Sequence, residues 1–313
     1  MHHLKWLTVG LVFLAVAAVP GVGPGTSTTP GLRRPDGVNF AVPAWSLEPI
    51  WDDGKAEFST YVGTTVRYGQ ARPTTARIIL VKEDLVRSTL VKSDPGPIPG
   101  KTVEALKQIV VADFPTGTYA YHQMASLFFD RRTLALLKET MSHTESCGMT
   151  FVRIAATEGR LIHEAHSYWD GEGERRVAIM WPKPERPHVF WDALPVWLRS
   201  IPRGNREDGS VRVWLLPSQI AGRSPIASTR PVEATIRMAR VSGETVRVPC
   251  GNFGALRYTV ETPSGTDTLW LATTPPHVLL KLASADGRRL ELKRTQRLDY
   301  WNHRAIGDEK LVD

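Results

Sequence analysis

The chain has 313 residues, of which 42% are hydrophobic and 23% charged, and a formal net charge of +7. That length is ample for a buried core, in one large β domain or two smaller ones. The cations are scattered along strand-like segments rather than clustered, which argues against a nucleic-acid-binding face, and no segment after the first twenty residues is long and apolar enough to span a bilayer.

The chain opens with Met1-His2-His3-Leu4-Lys5 and then the apolar run 6–19. A short cationic start followed by a run of that length is the export pattern, whereas a spanning helix needs about 20 residues. Ala15, Ala17 and Ala18 supply small residues for cleavage, and Pro20, Gly21, Pro24 and Gly25 stop any helix. Residues 1–18 are therefore read as a signal peptide. No cysteine follows the apolar run, so the expected product is an exported protein without a lipid anchor, periplasmic or extracellular. Residues 19–44, rich in Pro, Gly, Thr and Ser, read as a flexible lead-in.

From Trp45 onward, short strand-like runs follow one another. Strands are expected over 57–68, 76–81 and 103–114, the last ending at Pro115-Thr116-Gly117. The run 119–129 is ambiguous, with a short helix over 123–129 as the alternative, and 134–142 reads equally as helix or strand. Runs 149–155 and 161–168 read as hairpin partners across Glu158-Gly159, and 175–181 as a strand closed by Pro182 and Pro184. Phe190, Leu194, Trp197, Leu198 and Ile201 recur at helical spacing, which predicts one amphipathic helix over 189–201, stopped by Pro202-Arg203-Gly204. The final third predicts strands 211–216, 232–241, 245–248, 255–261, 268–272, 278–282 and 289–297. The turns Ser242-Gly243, Gly251-Asn252, Ser264-Gly265 and Asp286-Gly287 separate them. The expected fold is mainly β: an antiparallel curved sheet, half-barrel or sandwich-like. A lobe over 45–202 and a meander over 203–303 form one continuous fold, with a tail over 304–313.

Several spaced motifs carry a resemblance. Trp51-Asp52-Asp53-Gly54-Lys55-Ala56-Glu57, Arg67-Tyr68-Gly69, Val81-Lys82-Glu83-Asp84, Asp113-Phe114-Pro115-Thr116-Gly117-Thr118-Tyr119 and Glu145-Ser146-Cys147-Gly148 resemble uncharacterised exported bacterial proteins, some labelled septum formation inhibitor Maf. The stretch from Val248-Pro249-Cys250-Gly251-Asn252-Phe253 through Thr268-Leu269-Trp270 to Tyr300-Trp301 is similar to the end of a second β-rich family of unknown function. The Maf label implies α/β nucleotide pyrophosphatases with a Ser-rich, double-Arg phosphate loop. No such loop opens this chain, so the label is read as a misnomer. The resemblance brings no active site.

No phosphate loop, dinucleotide fingerprint or serine-hydrolase elbow is present, and no cofactor is expected. The best metal candidates are His143, Glu145, His163 and His166. His163 and His166 are three apart in a strand-like run, where alternation sends them to opposite faces. Cys147 and Cys250 are candidates for a disulfide; it would close a loop of about 100 residues, worth roughly 4–5 kcal/mol in the chain-entropy treatment. Tyr119, Tyr121, Trp169, Trp181 and Trp197 make the middle of the chain aromatic-dense, as lining of an apolar ligand cavity or as plain core. The leading reading is a non-enzymatic envelope protein binding an apolar or lipid-like ligand. An envelope scaffold and a metal-dependent envelope hydrolase are the alternatives.

Overall fold

The structure, a computed structural model, describes residues 44–157, 160–182, 186–201, 208–220, 229–239 and 245–312. The expected signal peptide and nearly all of the lead-in lie outside these residues. So do the turns expected at Glu158-Gly159, Pro202-Arg203-Gly204 and Ser242-Gly243.

The first half is a meander of β1 (Ala56–Arg67), β2 (Gln70–Val86), β3 (Thr102–Pro115), β4 (Ala120–Asp130), β5 (Leu136–Glu145), β6 (Gly148–Thr157), β7 (Arg160–Ser167) and β8 (Glu174–Ala178). The second half holds β9 (His188–Phe190), β10 (Asp208–Leu216), β11 (Val232–Ala239), β12 (Thr245–Val248), β13 (Gly251–Thr262), β14 (Gly265–Ala272), β15 (Leu279–Ala283) and β16 (Arg289–Leu298). All belong to one open, curved sheet in the order β8-β7-β6-β5-β4-β3-β2-β1-β16-β15-β14-β13-β11-β10-β9, with β12 paired to β13. Every pairing is antiparallel except β9 with β10. Both ambiguous runs are strands, β4 and β5. In β5 the burial alternates, with Glu139, Met141 and His143 buried and Lys138, Thr140 and Ser142 half-buried. That is a period of two, not of 3.6.

The first strand of the meander pairs with the last, so β1 and β16 join the two ends of the chain. Their approach is close. A Cβ placed on Gly63 would lie 1.9 Å from the Arg289 carbonyl oxygen, so only glycine fits there. β8 and β9 are left as the free edges of the sheet.

The helix expected over 189–201 is present over 191–200, whereas Val189 and Phe190 belong to β9, where they pair in parallel with Leu215 and Leu216 of β10. Residues 191–200 form 3-10 turns Trp191–Ala193 and Leu198–Ser200 around one α-helical turn, α1 (Leu194–Trp197). Leu194 and Leu198 pack into a core cluster with β10–β16, while Ala193 and Val196 pack into another with β3–β7. The passage is thus buried on opposing faces and fills the concavity of the sheet. Its polar residues are buried too. Arg199 makes a bidentate pair with Glu57 at 2.7 and 3.0 Å, and Trp45 donates its indole N–H to Ser200 Oγ at 3.0 Å. A segment poor in charge and apolar all round belongs in a core rather than at a surface.

The residues after β16 also pack. Thr60 and Gln296 donate to the carbonyls of Val312 and Leu311, each at 2.6 Å. Tyr300 and Val312 cover Phe58, Ile79, Val81 and Ile109 on the outer face. The expected tail is therefore a cover for apolar surface.

Candidate functional site

Three places in this fold concentrate polar or exposed chemistry. The first is inside. Strand pairing aligns Gln108, Leu127, Glu139, Ile154 and His163 in one row across β3 to β7, and Gln123, His143, Thr150 and Ser167 in another, with the apolar row Val110, Ala125, Met141, Val152 and Ala165 between them. Polar residues thus alternate with apolar ones across an inward face. They hold the segment 217–220 that follows β10. Asp192 accepts the Ser218 hydroxyl at 2.5 Å and the Gln219 N–H at 2.7 Å. His163 Nε2 donates to Gln219 Oε1 at 3.2 Å, and Gln123 donates to the Ile220 carbonyl at 2.8 Å. Gln108 donates to the Asp192 carbonyl at 2.6 Å. This bolt ties β3, β4 and β7 to the far half of the sheet through the interior.

Within the bolt, Glu139 and Asp192 are both buried carboxyl groups. Burial, reinforced by the neighbouring Asp192 charge, holds the Glu139 carboxyl well above the usual carboxylate range. Burial also raises Asp192, opposed by its bonds from Ser218 and Gln219. Of the two, Glu139 is the carboxyl that keeps its proton to the higher pH. Burial lowers His163, opposed by its bond to Gln219, and the ring is neutral with Nδ1 unpartnered.

The second place is the end of the sheet where the turns β1–β2, β3–β4, β5–β6 and β7–β8 lie. Tyr68 and Gly69, both left-handed at φ 54° and 70°, form the two-residue turn between β1 and β2. The Tyr68 hydroxyl meets that of Tyr121 at 2.7 Å and that of Tyr119 at 3.4 Å. Arg67 donates to the Tyr121 hydroxyl at 3.2 Å and lies 4.9 Å from the ring centres of Tyr68 and Tyr121. Tyr121 stacks on Phe114 at 5.0 Å and meets His143 edge-on at 5.0 Å. Gln123 donates to His143 Nδ1 at 2.9 Å, which leaves Nε2 carrying the proton. Burial first, then the Arg67 charge, keeps that ring neutral. Tyr168 packs directly on Gly148 and lies edge-on to Trp169 at 5.7 Å.

The third place is the seam between the free edges. Trp181 stacks on His188 at 4.2 Å and meets Phe190 edge-on, so it spans from the end of β8 to β9. Burial alone pushes His188 down to about 4. Beside it lies a cleft of about 690 Å³, lined by Arg175, Val177, Ala178, Met180 and Pro182 on one side and Thr229, Arg230 and Pro231 on the other. Arg175 and Arg230 make no ion pair among the described residues.

The predicted site residues are scattered over these places. Tyr119, Tyr121 and Trp169 belong to the tyrosine-rich end, Trp181 to the seam, and Trp197 packs half-buried against the core. They do not line one internal cavity, because the helical passage fills the concavity. His143 and His163 point inward and Glu145 lies near Tyr121, but His166 is outward with Glu174 at 3.6 Å. Strand alternation separates the four, and no three His, Cys, Asp or Glu among the described residues are grouped to hold a metal. Cys147 and Cys250 are free thiols, one exposed in the β5–β6 turn and one half-buried in the β12–β13 turn, so the candidate bridge is not formed. Those turns lie at opposite ends of the sheet, out of bridging reach. The sequence reading missed Arg67, Tyr68, Glu139, Asp192, Gln219, Arg175 and Arg230. The available signal was the polar residues at alternate positions of 136–145, which put a carboxyl and an imidazole on the core face.

No family model and no curated protein matches the chain. Among solved structures, a β-barrel-like protein of a domain of unknown function, DUF1849, from Brucella abortus aligns over 78% of this chain and 98% of that one. The identity is 10% and the TM-score 0.43. That description names neither Maf proteins nor a second family.

Proposed function

We propose that this is an exported, non-enzymatic protein of the cell envelope that binds an anionic amphiphile in the seam cleft. One observation carries the reading: the cleft combines apolar walls with two guanidinium groups that have no ion pair among the described residues. Val177, Ala178, Met180, Pro182 and Pro231 offer apolar surface, and Met180 is 75% exposed. Arg175, on the edge strand β8, and Arg230, just before β11, line the same space. An acyl chain gains by leaving water against such walls, and a phosphate or carboxylate head is matched by guanidinium forks. The export pattern of residues 1–18 supplies the compartment. The packed interior argues against ligand storage inside the sheet.

Displacement of a fluorescent fatty acid from the full chain, with native mass spectrometry of the gently purified protein, tests the reading. Arg175→Glu combined with Arg230→Glu reverses both charges. Each exposed charge contact is worth about 0.2–1 kcal/mol, so binding is expected to weaken about tenfold. Unchanged affinity in the double variant, or no binding of any anionic amphiphile by the wild type, overturns the proposal.

A further inference from the structure

We propose that the tyrosine-rich end of the sheet is a second site, one that binds a neutral saccharide. Tyr68 and Tyr168 are 58% and 59% exposed, so this end presents two large aromatic rings to solvent. Tyr68 connects to Tyr121 through their hydroxyls, Tyr121 to His143 through their rings, and Tyr168 rests on the turn that follows Glu145. The rim is therefore continuous from β1 to β7.

The floor beneath it holds unmatched donors and acceptors together. Among the described residues Arg67 Nε–H and His143 Nε2–H have no acceptor, and neither Glu145 carboxylate oxygen accepts a hydrogen bond of ordinary geometry. An apolar ligand seated there leaves all of these unmatched, at about 1–3 kcal/mol for each buried group. A charged ligand gains from one of Arg67 and Glu145 and loses to the other. A sugar hydroxyl both donates and accepts, so adjacent hydroxyls satisfy both kinds of group, while the C–H face of the ring lies on tyrosine.

Backbone strain points to the same residues. Tyr68 occupies the left-handed region at φ 54°, where Asn, Asp or Gly is the usual occupant of this turn. Leu90, Leu134 and His277 share that region, but of the four only Tyr68 lies at this end with its ring over the unmatched groups. The tyrosine's own hydroxyl bonds to Tyr121 and Tyr119 occupy the place a sugar hydroxyl takes. Turning this exposed ring opens the floor.

The test is calorimetric titration of the full chain with cello-, chito- and malto-hexaoses, alongside co-sedimentation with purified peptidoglycan. Binding in the first arm identifies a soluble oligosaccharide as sufficient, and binding only in the second identifies a wall polymer; either supports the site. Tyr68→Ala, and separately Tyr168→Ala, is expected to weaken binding about tenfold, the worth of one aromatic stack. Glu145→Gln weakens it with the fold intact. The seam double variant binds saccharide normally, which separates this site from the amphiphile cleft. The proposal is overturned if neither arm binds at about 10 mM saccharide, where the binding free energy would be only about −2.7 kcal/mol. It is equally overturned if binding survives both Tyr68→Ala and Glu145→Gln.

Discussion

Replacing Glu139 by Gln isolates the one proton that the interior retains. Gln has the same shape and still presents an N–H toward Asp192, but it cannot ionise. In the unfolded chain Glu139 titrates at its ordinary value of 4.5, whereas in the fold burial and the Asp192 charge hold it protonated well above that. Below the ordinary value both states are protonated and the carboxyl has no pH-dependent effect. Above it the unfolded state has lost a proton that the native state keeps. Wild-type stability then falls by about 1.4 kcal/mol per pH unit, until the folded group itself ionises. The Gln variant lacks that slope. Urea unfolding followed by tryptophan fluorescence at pH 5, 6, 7 and 8 measures the difference. The variant is expected to gain on the wild type as pH rises above the ordinary carboxylate value. Similar denaturant slopes in both proteins keep the comparison valid. Stability curves that stay parallel across this range refute the upward shift of the buried Glu139 carboxyl.

Three further outcomes follow from the packing. Arg199→Met strands the buried Glu57 carboxylate and is expected to cost about 3–5 kcal/mol, whereas the double change with Glu57→Leu costs much less; a double-mutant cycle by denaturant melts measures both. Gly63→Ala drives a methyl group into the Arg289 carbonyl and is expected to lose about 1–3 kcal/mol by opening the β1–β16 closure, read as a lower melting temperature. His188→Phe keeps the stack on Trp181 but removes a ring that stays neutral down to about 4. As pH falls below 6.5 the unfolded His binds a proton that the native ring refuses, so wild type loses stability between pH 6.5 and 4. The Phe variant is expected to be the more stable protein at pH 5 and nearly equal to wild type at pH 8, by thermal melts at both.

Much of the strand pattern is legible because strand alternation and turn chemistry are local. The pair β6 and β7, and the Asp286-Gly287 turn between β15 and β16, come directly from runs and glycines. The helical passage was legible as a helix through Leu194, Trp197 and Leu198. Its burial was not, because the periodicity of one face says nothing of what packs on the other. The candidate sites were less legible still. His143 and Glu145 were visible as a pair two apart, but Arg67 and Tyr68 reach them from 75 residues away through tyrosine hydroxyls. The cleft residues Arg175 and Arg230 meet only because β8 and the residues just before β11 lie beside each other.

The sequence by itself determined an antiparallel β protein with one helical insert, since periods of two and 3.6 and the glycine turns are properties of neighbouring residues. Tertiary structure alone decided that β1 pairs with β16, that the helix becomes the core rather than a surface element, and that Glu139 faces Asp192. Those contacts join residues 53 to more than 200 positions apart, and no short-range pattern encodes which distant partner a buried polar group meets. The same pairing sends His166 outward and holds Cys147 and Cys250 at opposite ends of the sheet, two outcomes set by register and strand order rather than by residue type.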